Sequence, residues 1–138
     1  MILLDTSGLL AALDSAQNAH HEAAECLADA NAVLLLSPFV LAELDYLLAT
    51  RVGERARTSL LAEVGRGAYQ LQPFSGEDVA RARKVIERYA DLGVSLADAS
   101  IVVLAERHAA RTVLTLDERH FRVLKADRKP FALLPADR

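Results

Sequence analysis

Short apolar runs alternate along the chain with longer segments of helical periodicity, and this alternation constrains the fold more than any other feature. The apolar runs predict five strands, at residues 2–4, 33–36, 68–71, 113–116 and 131–134. The first, second and fourth runs lack polar alternation, which is typical of parallel strands covered on both faces. The segments between the runs predict helices at residues 18–30, 39–49, 54–64, 77–90 and 96–109.

Strands separated by helices indicate βαβ units, whose right-handed connections build a parallel sheet. We therefore expect an α/β protein, specifically a three-layer α/β/α sandwich around a mainly parallel sheet of four to five strands. The chain has 138 residues, the length of one ordinary domain, and no repeat or linker divides it. The prediction is a single domain over residues 1–138. Because 52% of the residues are hydrophobic, a disordered or low-complexity chain is excluded.

Cysteine content and hydropathy exclude several classes of protein. The single cysteine, Cys26, is incompatible with a disulfide framework or a Cys-rich zinc site. The most apolar window, residues 32–49, contains Pro38, Glu43 and Asp45, which a membrane span would not tolerate well. Met1 leads directly into an apolar run, without the basic segment of a secretory signal. These features predict a cytoplasmic protein that does not bind a membrane.

Charge is distributed unevenly along the chain. The first fifty residues contain seven acids and no lysine or arginine, whereas the remainder contains 16 bases and 12 acids. This asymmetry suggests a site that needs negative charge beside a surface that tolerates polyanions. Two ordinary solvated faces would give the same totals.

Two acids follow predicted strands. Asp5 comes directly after the first strand, and Asp117 comes after the strand at residues 113–116. In open parallel sheets ligands bind beyond the carboxyl ends of the strands, so both side chains are expected in one crevice if the two strands are neighbours. Either acid could instead serve only as a turn or N-cap residue.

Two further acids are predicted on helices. Glu43 belongs to a helix that is apolar nearly all round, where burying a lone carboxylate would be costly, although an exposed helix edge would also accommodate it. Asp98 fits a capping box with Ser95, which would itself direct the side chain toward the top of the sheet. The capping role and a role in a site are therefore compatible.

Convergence of these acids would require a cation. Two carboxylates about 4 Å apart repel by roughly 4 kcal/mol at an effective dielectric constant of 20. No lysine or arginine lies near Asp5, Glu43 or Asp98 in the sequence. An all-oxygen site suits Mg²⁺ or Mn²⁺, and such an ion assists phosphodiester hydrolysis by neutralising phosphate oxygens and activating water. The predicted chemistry is metal-assisted hydrolysis of a phosphodiester.

Four sequence motifs carry a family resemblance. They are ILLDTS at residues 2–7, SPFVLAEL at 37–44, LADA at 96–99, and LTLD at 114–117 followed by His120 and Phe121. In this order and at this spacing the chain resembles the PIN-domain ribonucleases, and most closely the VapC-type toxins of bacterial toxin–antitoxin pairs. The resemblance covers essentially the whole chain.

The resemblance implies an Mg²⁺- or Mn²⁺-dependent endoribonuclease that cuts structured RNA such as tRNA or ribosomal RNA. It implies that Asp5 and Asp98 hold the metal directly. It also implies that Glu43 and Asp117 complete the acidic cluster, often through metal-bound water. All four acids of the family pattern are present.

The resemblance extends to supporting residues and partners. The hydroxyls of Thr6 and Thr115 match family positions that orient the first acid or contact phosphate. A homodimer and inhibition by a small VapB-type antitoxin, whose C-terminal segment covers the active-site groove, are also implied.

Basic residues near these motifs are candidates for RNA contacts. Arg119 and His120 directly follow Asp117, and Arg51 follows the helix of Glu43, so all three could bind phosphates at the groove rim. A solvated basic turn is the alternative for the first two.

Three other functions share parts of this pattern. A PIN nuclease that processes RNA without an antitoxin would have the same chemistry, and a short antitoxin-like neighbouring gene would separate the two. A binding module could use the groove without cleaving RNA. A phosphotransfer receiver domain needs a lysine after a late strand, and here no lysine occurs before Lys125.

Overall fold

The structure is a computed structural model that describes all 138 residues, and its centre is a five-stranded parallel sheet. The strands are β1 (Ile2–Leu4), β2 (Leu34–Leu36), β3 (Gln70–Leu71), β4 (Thr112–Leu114) and β7 (Ala132–Leu134). Their order is β3-β2-β1-β4-β7, with every neighbouring pair parallel. A separate antiparallel pair consists of β5 (Lys125–Ala126) and β6 (Lys129–Pro130).

Seven helices flank the sheet in a three-layer α/β/α arrangement, which confirms the predicted fold class. They are α1 (Thr6–Leu13), α2 (His20–Asp29), α3 (Pro38–Arg51), α4 (Glu54–Gly65), α5 (Gly76–Arg88), α6 (Leu96–His108) and α7 (Glu118–Phe121). The five predicted helices are present with ends shifted by up to two residues. None of the seven combines the length and apolar character that a membrane crossing would need.

Helices α1 and α7 are not predicted by the sequence pattern. Residues Gly8 to Ala12 of α1 are all buried. A helix that is covered on every side has no polar stripe, so its periodicity is invisible in the sequence. Helix α7 has only four residues, too few to show a period.

The predicted end of β4 is wrong by two residues, because side chains replace the strand hydrogen bonds after Thr115, whose N–H still donates to the Leu134 carbonyl (2.9 Å). The Leu116 backbone N–H donates to Ser7 Oγ (3.0 Å), and that of Asp117 donates to Thr115 Oγ1 (2.9 Å). Asp117 therefore lies in a short loop and not at the strand end. Smaller corrections shorten the start of the second, third and last predicted strands by one to two residues.

One cluster of 30 buried hydrophobic residues forms the core. Strand β1 pairs with β2 on one side and β4 on the other, so the segments that follow β1 and β4 emerge at the same edge. Helix α6 is buried from Ala97 to Ala105. Helix α1 approaches β4 so closely that a methyl group on Gly8 would overlap the Leu114 carbonyl and lie 2.7 Å from the Thr115 nitrogen.

Candidate active site

Asp5 lies directly after β1, at the carboxyl edge of the sheet, and is held by two hydroxyl groups. Its Oδ2 accepts hydrogen bonds from Thr115 Oγ1 (2.7 Å) and Ser7 Oγ (2.8 Å). Its backbone N–H donates to the Leu114 carbonyl of β4 (3.0 Å). The carboxyl group is buried, with no lysine or arginine in contact. Its position is therefore determined by the pairing of β1 with β4.

Burial changes the ionisation of Asp5. It raises the pKa of this carboxyl from 3.8 to about 6, against the opposing effect of the hydrogen bonds from Thr115 and Ser7, and the charge of Asp98 adds to the increase. An ionised Asp5 is thus costly in the metal-free protein at neutral pH. A cation at this carboxylate would remove that cost.

Asp98 occupies the first turn of α6 and forms the capping box predicted from the sequence. Its backbone N–H donates to Ser95 Oγ (3.1 Å), and its Oδ2 accepts from the Ser95 backbone N–H (3.1 Å). The carboxyl group is buried and also faces the groove described below. The Asp98 side chain therefore both caps the first turn of α6 and contributes negative charge to the candidate site.

Glu43 reaches the site from the middle of α3. Its side chain is exposed, and its Oε1 accepts a hydrogen bond from Thr6 Oγ1 (3.1 Å). Helix α3 begins with Ser37 as N-cap, and the Ser37 hydroxyl lies 2.7 Å from the Ser100 hydroxyl of α6. This buried contact joins the helices that carry Glu43 and Asp98. It is not predicted from the sequence.

Asp117 precedes α7 and caps it. Its Oδ1 accepts a hydrogen bond from the His120 backbone N–H (3.0 Å), while its own N–H donates to Thr115 Oγ1. The Thr115 hydroxyl therefore contacts both Asp5 and the backbone of Asp117. Of the two hydroxyls singled out from the sequence, Thr115 orients Asp5 and Thr6 orients Glu43.

The ring of His120 lies among the acids. The sequence suggests instead a phosphate contact at the rim of the groove. The His120 Nδ1 is 2.8 Å from Asp117 Oδ2 and 3.2 Å from Asp98 Oδ2, and its side chain is only 16% exposed. Helix α7 begins directly after Asp117, and the ring of His120 in this helix faces Asp98 and Asp117. Ser7 is not among the site residues predicted from the sequence. Its position two residues after Asp5 in the ILLDTS motif was the signal that could have indicated its contact with Asp5.

These side chains converge on one groove of about 370 Å³. Its walls are formed by Asp5, Thr6, Ser7, Leu10, Glu43, Leu47, Arg51, Ser95, Asp98, Asp117 and His120. All four predicted acids are among them, as are two of the three candidates for RNA contacts. Arg119 is exposed and does not line the groove.

The donor set of the groove fits a hard divalent cation. Four carboxylates meet there, and the only positively ionisable group in ion-pair distance of any of them is His120. Carboxylate oxygens are the ligands that Mg²⁺ and Mn²⁺ prefer. The oxygens and imidazole nitrogen of Asp98, Asp117 and His120 lie within 4.8 Å of one another, close enough to surround a single ion.

Comparison with known families agrees with this geometry. The family model described as PIN domain matches residues 2–126. The chain belongs to the PIN-domain family. This PIN domain is 43% identical over 124 residues to Ribonuclease VapC26 of Mycobacterium tuberculosis, and the match covers 90% of this chain and 92% of that protein.

Solved structures share the fold of this PIN domain at lower sequence identity. Mycobacterium tuberculosis VapC20, described as a sarcin-ricin loop cleaving toxin, has a TM-score of 0.79 and 22% identity, covering 85% of this chain and 90% of its own. VapBC2 of Rickettsia felis, solved bound to a DNA fragment from its promoter, has a TM-score of 0.68 and 21% identity. It covers 96% of this chain and 98% of its own.

Proposed function

We propose that this PIN domain, over residues 1–138, is a metal-dependent endoribonuclease and the toxin of a VapBC-type toxin–antitoxin pair. One observation carries the proposal: four acids from separate segments converge on one groove, and none of them forms an ion pair with a lysine or arginine. The 43% identity to Ribonuclease VapC26 supports ribonuclease chemistry. Structured RNA such as tRNA or ribosomal RNA is the proposed substrate.

Mg²⁺ is the proposed cofactor, with Mn²⁺ as the second candidate. Asp5 and Asp98 would hold the ion directly, while Glu43 and Asp117 complete the negative charge around it. When bound, a divalent ion supplies neutralisation of phosphate oxygens and a water molecule of lowered pKa. The burial of Asp5 and Asp98 supports this assignment, because a buried carboxylate needs a positive partner.

The surrounding residues would position the acids and the substrate. Ser7 and Thr115 hold Asp5 in one orientation, and Thr6 holds Glu43. Arg51 lines the groove without an acidic partner, so its guanidinium group is available for an RNA phosphate. Arg119, which is exposed outside the groove, remains a proposed RNA contact, whereas the ring of His120 faces the acids.

Replacing Thr115 with valine is expected to weaken Mg²⁺ binding by about tenfold to 100-fold, because the hydroxyl orients Asp5 and accepts from Asp117 N–H. Isothermal titration of Mg²⁺ into the purified protein measures the change. Thr112→Val is the matched control, since the Thr112 hydroxyl lies on β4 away from the groove. Unchanged affinity in Thr115→Val would contradict the role of this hydroxyl.

The proposed partners follow from membership of the VapC-like group. A VapB-type antitoxin would cover the groove, and the toxin would act as a homodimer in the cytoplasm. Light scattering coupled to size-exclusion chromatography measures the mass of the assembly. A species of twice 15.0 kDa is the expected result for the toxin alone.

The deciding experiment is expression of the chain in bacterial cells followed by mapping of new RNA 5′ ends across the transcriptome. We expect growth arrest and a small number of strong new ends in structured RNA, both absent with Asp98→Asn. Absence of new ends with the wild-type chain would refute the ribonuclease assignment. If a short antitoxin-like gene adjoins this one, its co-expression should suppress cleavage, and cleavage that persists would favour an RNA-processing PIN nuclease without an antitoxin.

A further inference from the structure

The imidazole Nδ1 of His120 is buried inside the acidic groove without a hydrogen-bond partner. It lies 2.8 Å from Asp117 Oδ2 and 3.2 Å from Asp98 Oδ2, yet neither oxygen is aligned with the ring nitrogen for a hydrogen bond. A buried polar atom with no partner is costly, so this arrangement needs a further group.

The spacing of the three atoms matches neighbouring ligands around one ion. At metal–ligand distances near 2.1 Å, adjacent corners of an octahedron are about 3 Å apart. The two distances from Nδ1 bracket this value, and all three ligand atoms lie within 4.8 Å of one another. A cation between them would therefore contact the nitrogen and both oxygens.

The position of the ring is set by the backbone. The His120 N–H donates to Asp117 Oδ1, which caps α7, and Asp117 N–H is bonded to the Thr115 hydroxyl. His120 is thus the third residue after Asp117, and the backbone of Asp117 is fixed by the Thr115 hydroxyl just beyond β4. With only 16% of its side chain exposed, His120 is poorly placed to reach an RNA phosphate at the rim.

We propose that His120 Nδ1 is a metal ligand, so that Asp98, Asp117 and His120 hold a divalent ion through two oxygens and one nitrogen. The inference rests on the proposed metal-dependent function and adds a nitrogen to an otherwise all-oxygen site. Asp98 would be common to this set and to the Asp5–Asp98 pair of the proposed function, and Asp117 would become a direct ligand of the ion. Imidazole nitrogen is a poorer ligand for Mg²⁺ than for first-row transition metals, of which Mn²⁺ is the one that also suits carboxylates, so His120 favours Mn²⁺ over Mg²⁺ at this position.

Pulsed electron paramagnetic resonance of the protein loaded with Mn²⁺ alone tests the ligand directly. We expect coupling between Mn²⁺ and one ¹⁴N nucleus in the wild-type protein. The coupling should vanish in His120→Ala and in His120→Gln, and the Mn²⁺ dissociation constant should rise about tenfold or more. The Mg²⁺ dissociation constant should change by a smaller factor. His108→Ala is the matched control, because His108 contacts Gln72 outside the groove.

The outcomes separate this inference from the proposed function. Mn²⁺ that binds the wild-type protein without nitrogen coupling would overturn the inference, and so would a failure of Mn²⁺ to bind at all. RNA cleavage by a protein without the coupling would leave the nuclease proposal standing. Nitrogen coupling in a protein that cleaves no RNA would support the ligand while refuting the nuclease. Thermal unfolding of both His120 variants verifies that they are folded.

Discussion

Replacing Asp5 with asparagine is expected to stop RNA cleavage and, at the same time, to make the metal-free protein more stable at pH 7. Cleavage should fall about 10³-fold or more, because the charge stabilisation that a bound ion supplies is worth several kcal/mol. Stability should rise because the pKa of the buried Asp5 is raised to about 6, so its ionised form opposes folding. The gain at pH 7 is at most about 3 kcal/mol.

The sign of the pH dependence follows from this raised pKa. Well below its ordinary pKa of 3.8 the Asp5 carboxyl is protonated in both the folded and the unfolded state, so wild type and Asp5→Asn should have similar melting temperatures there. As the pH rises from 4 through 6, wild type progressively loses stability relative to the variant. Above about pH 6 the difference is complete.

Melting curves between pH 4 and 8 without metal, and again with saturating Mg²⁺, measure both effects. Added Mg²⁺ should raise the melting temperature of wild type more than that of Asp5→Asn, since binding stabilises only the protein that binds. Asp91→Asn is the control, because Asp91 is exposed and lies outside the groove. Full cleavage by Asp5→Asn, or equal shifts with Mg²⁺, would be incompatible with metal binding at Asp5.

Replacing Gly8 with alanine is expected to give the largest loss of stability of any glycine-to-alanine substitution in the chain. The new Cβ would overlap the Leu114 carbonyl and lie 2.7 Å from the Thr115 nitrogen. Both are backbone atoms of the β4 edge and cannot rotate away. We expect a loss of about 3 kcal/mol or more in the free energy of unfolding, and a melting temperature lower by about 10 °C.

The same substitution should reduce cleavage in whatever fraction remains folded, because a shift of α1 away from β4 separates Ser7 and Asp5 from Thr115. Chemical denaturation followed by circular dichroism measures the stability. Gly65→Ala is the matched control: a Cβ there meets nothing within 4 Å, and alanine favours the helix. Similar unfolding free energies for Gly8→Ala and wild type would show that α1 and β4 are not in the contact described.

The paired acids and bases explain part of the charge asymmetry. Asp45 is paired with Arg57, and Asp29 with Arg138, so bases from the later part of the chain neutralise acids from the first fifty residues. Asp5 and Glu43 instead contact hydroxyl groups. Composition shows the excess of acids, but only the fold shows which of them are left without a cation.

The amino-acid sequence alone determined the order along the chain of the five sheet strands and of five of the seven helices, and the positions of the four acids. Apolar runs, helical stripes and a capping box are local features, visible within about ten residues, and parallel strands bring their ends to one edge of the sheet. The placement of Asp5 and Asp117 in one crevice was predicted only on the condition that their strands are neighbours, and the pairing of β1 with β4 meets that condition.

Only the tertiary structure decided which atoms meet in the groove. Asp5 and Thr115 are 110 residues apart in the chain and contact each other because β1 pairs with β4. The orientation of the His120 ring toward the acids depends on the end of β4 at Leu114. It also depends on the Asp117 cap of the four-residue helix α7. Such contacts depend on shifts of about one ångström in backbone position, which neither periodicity nor composition encodes.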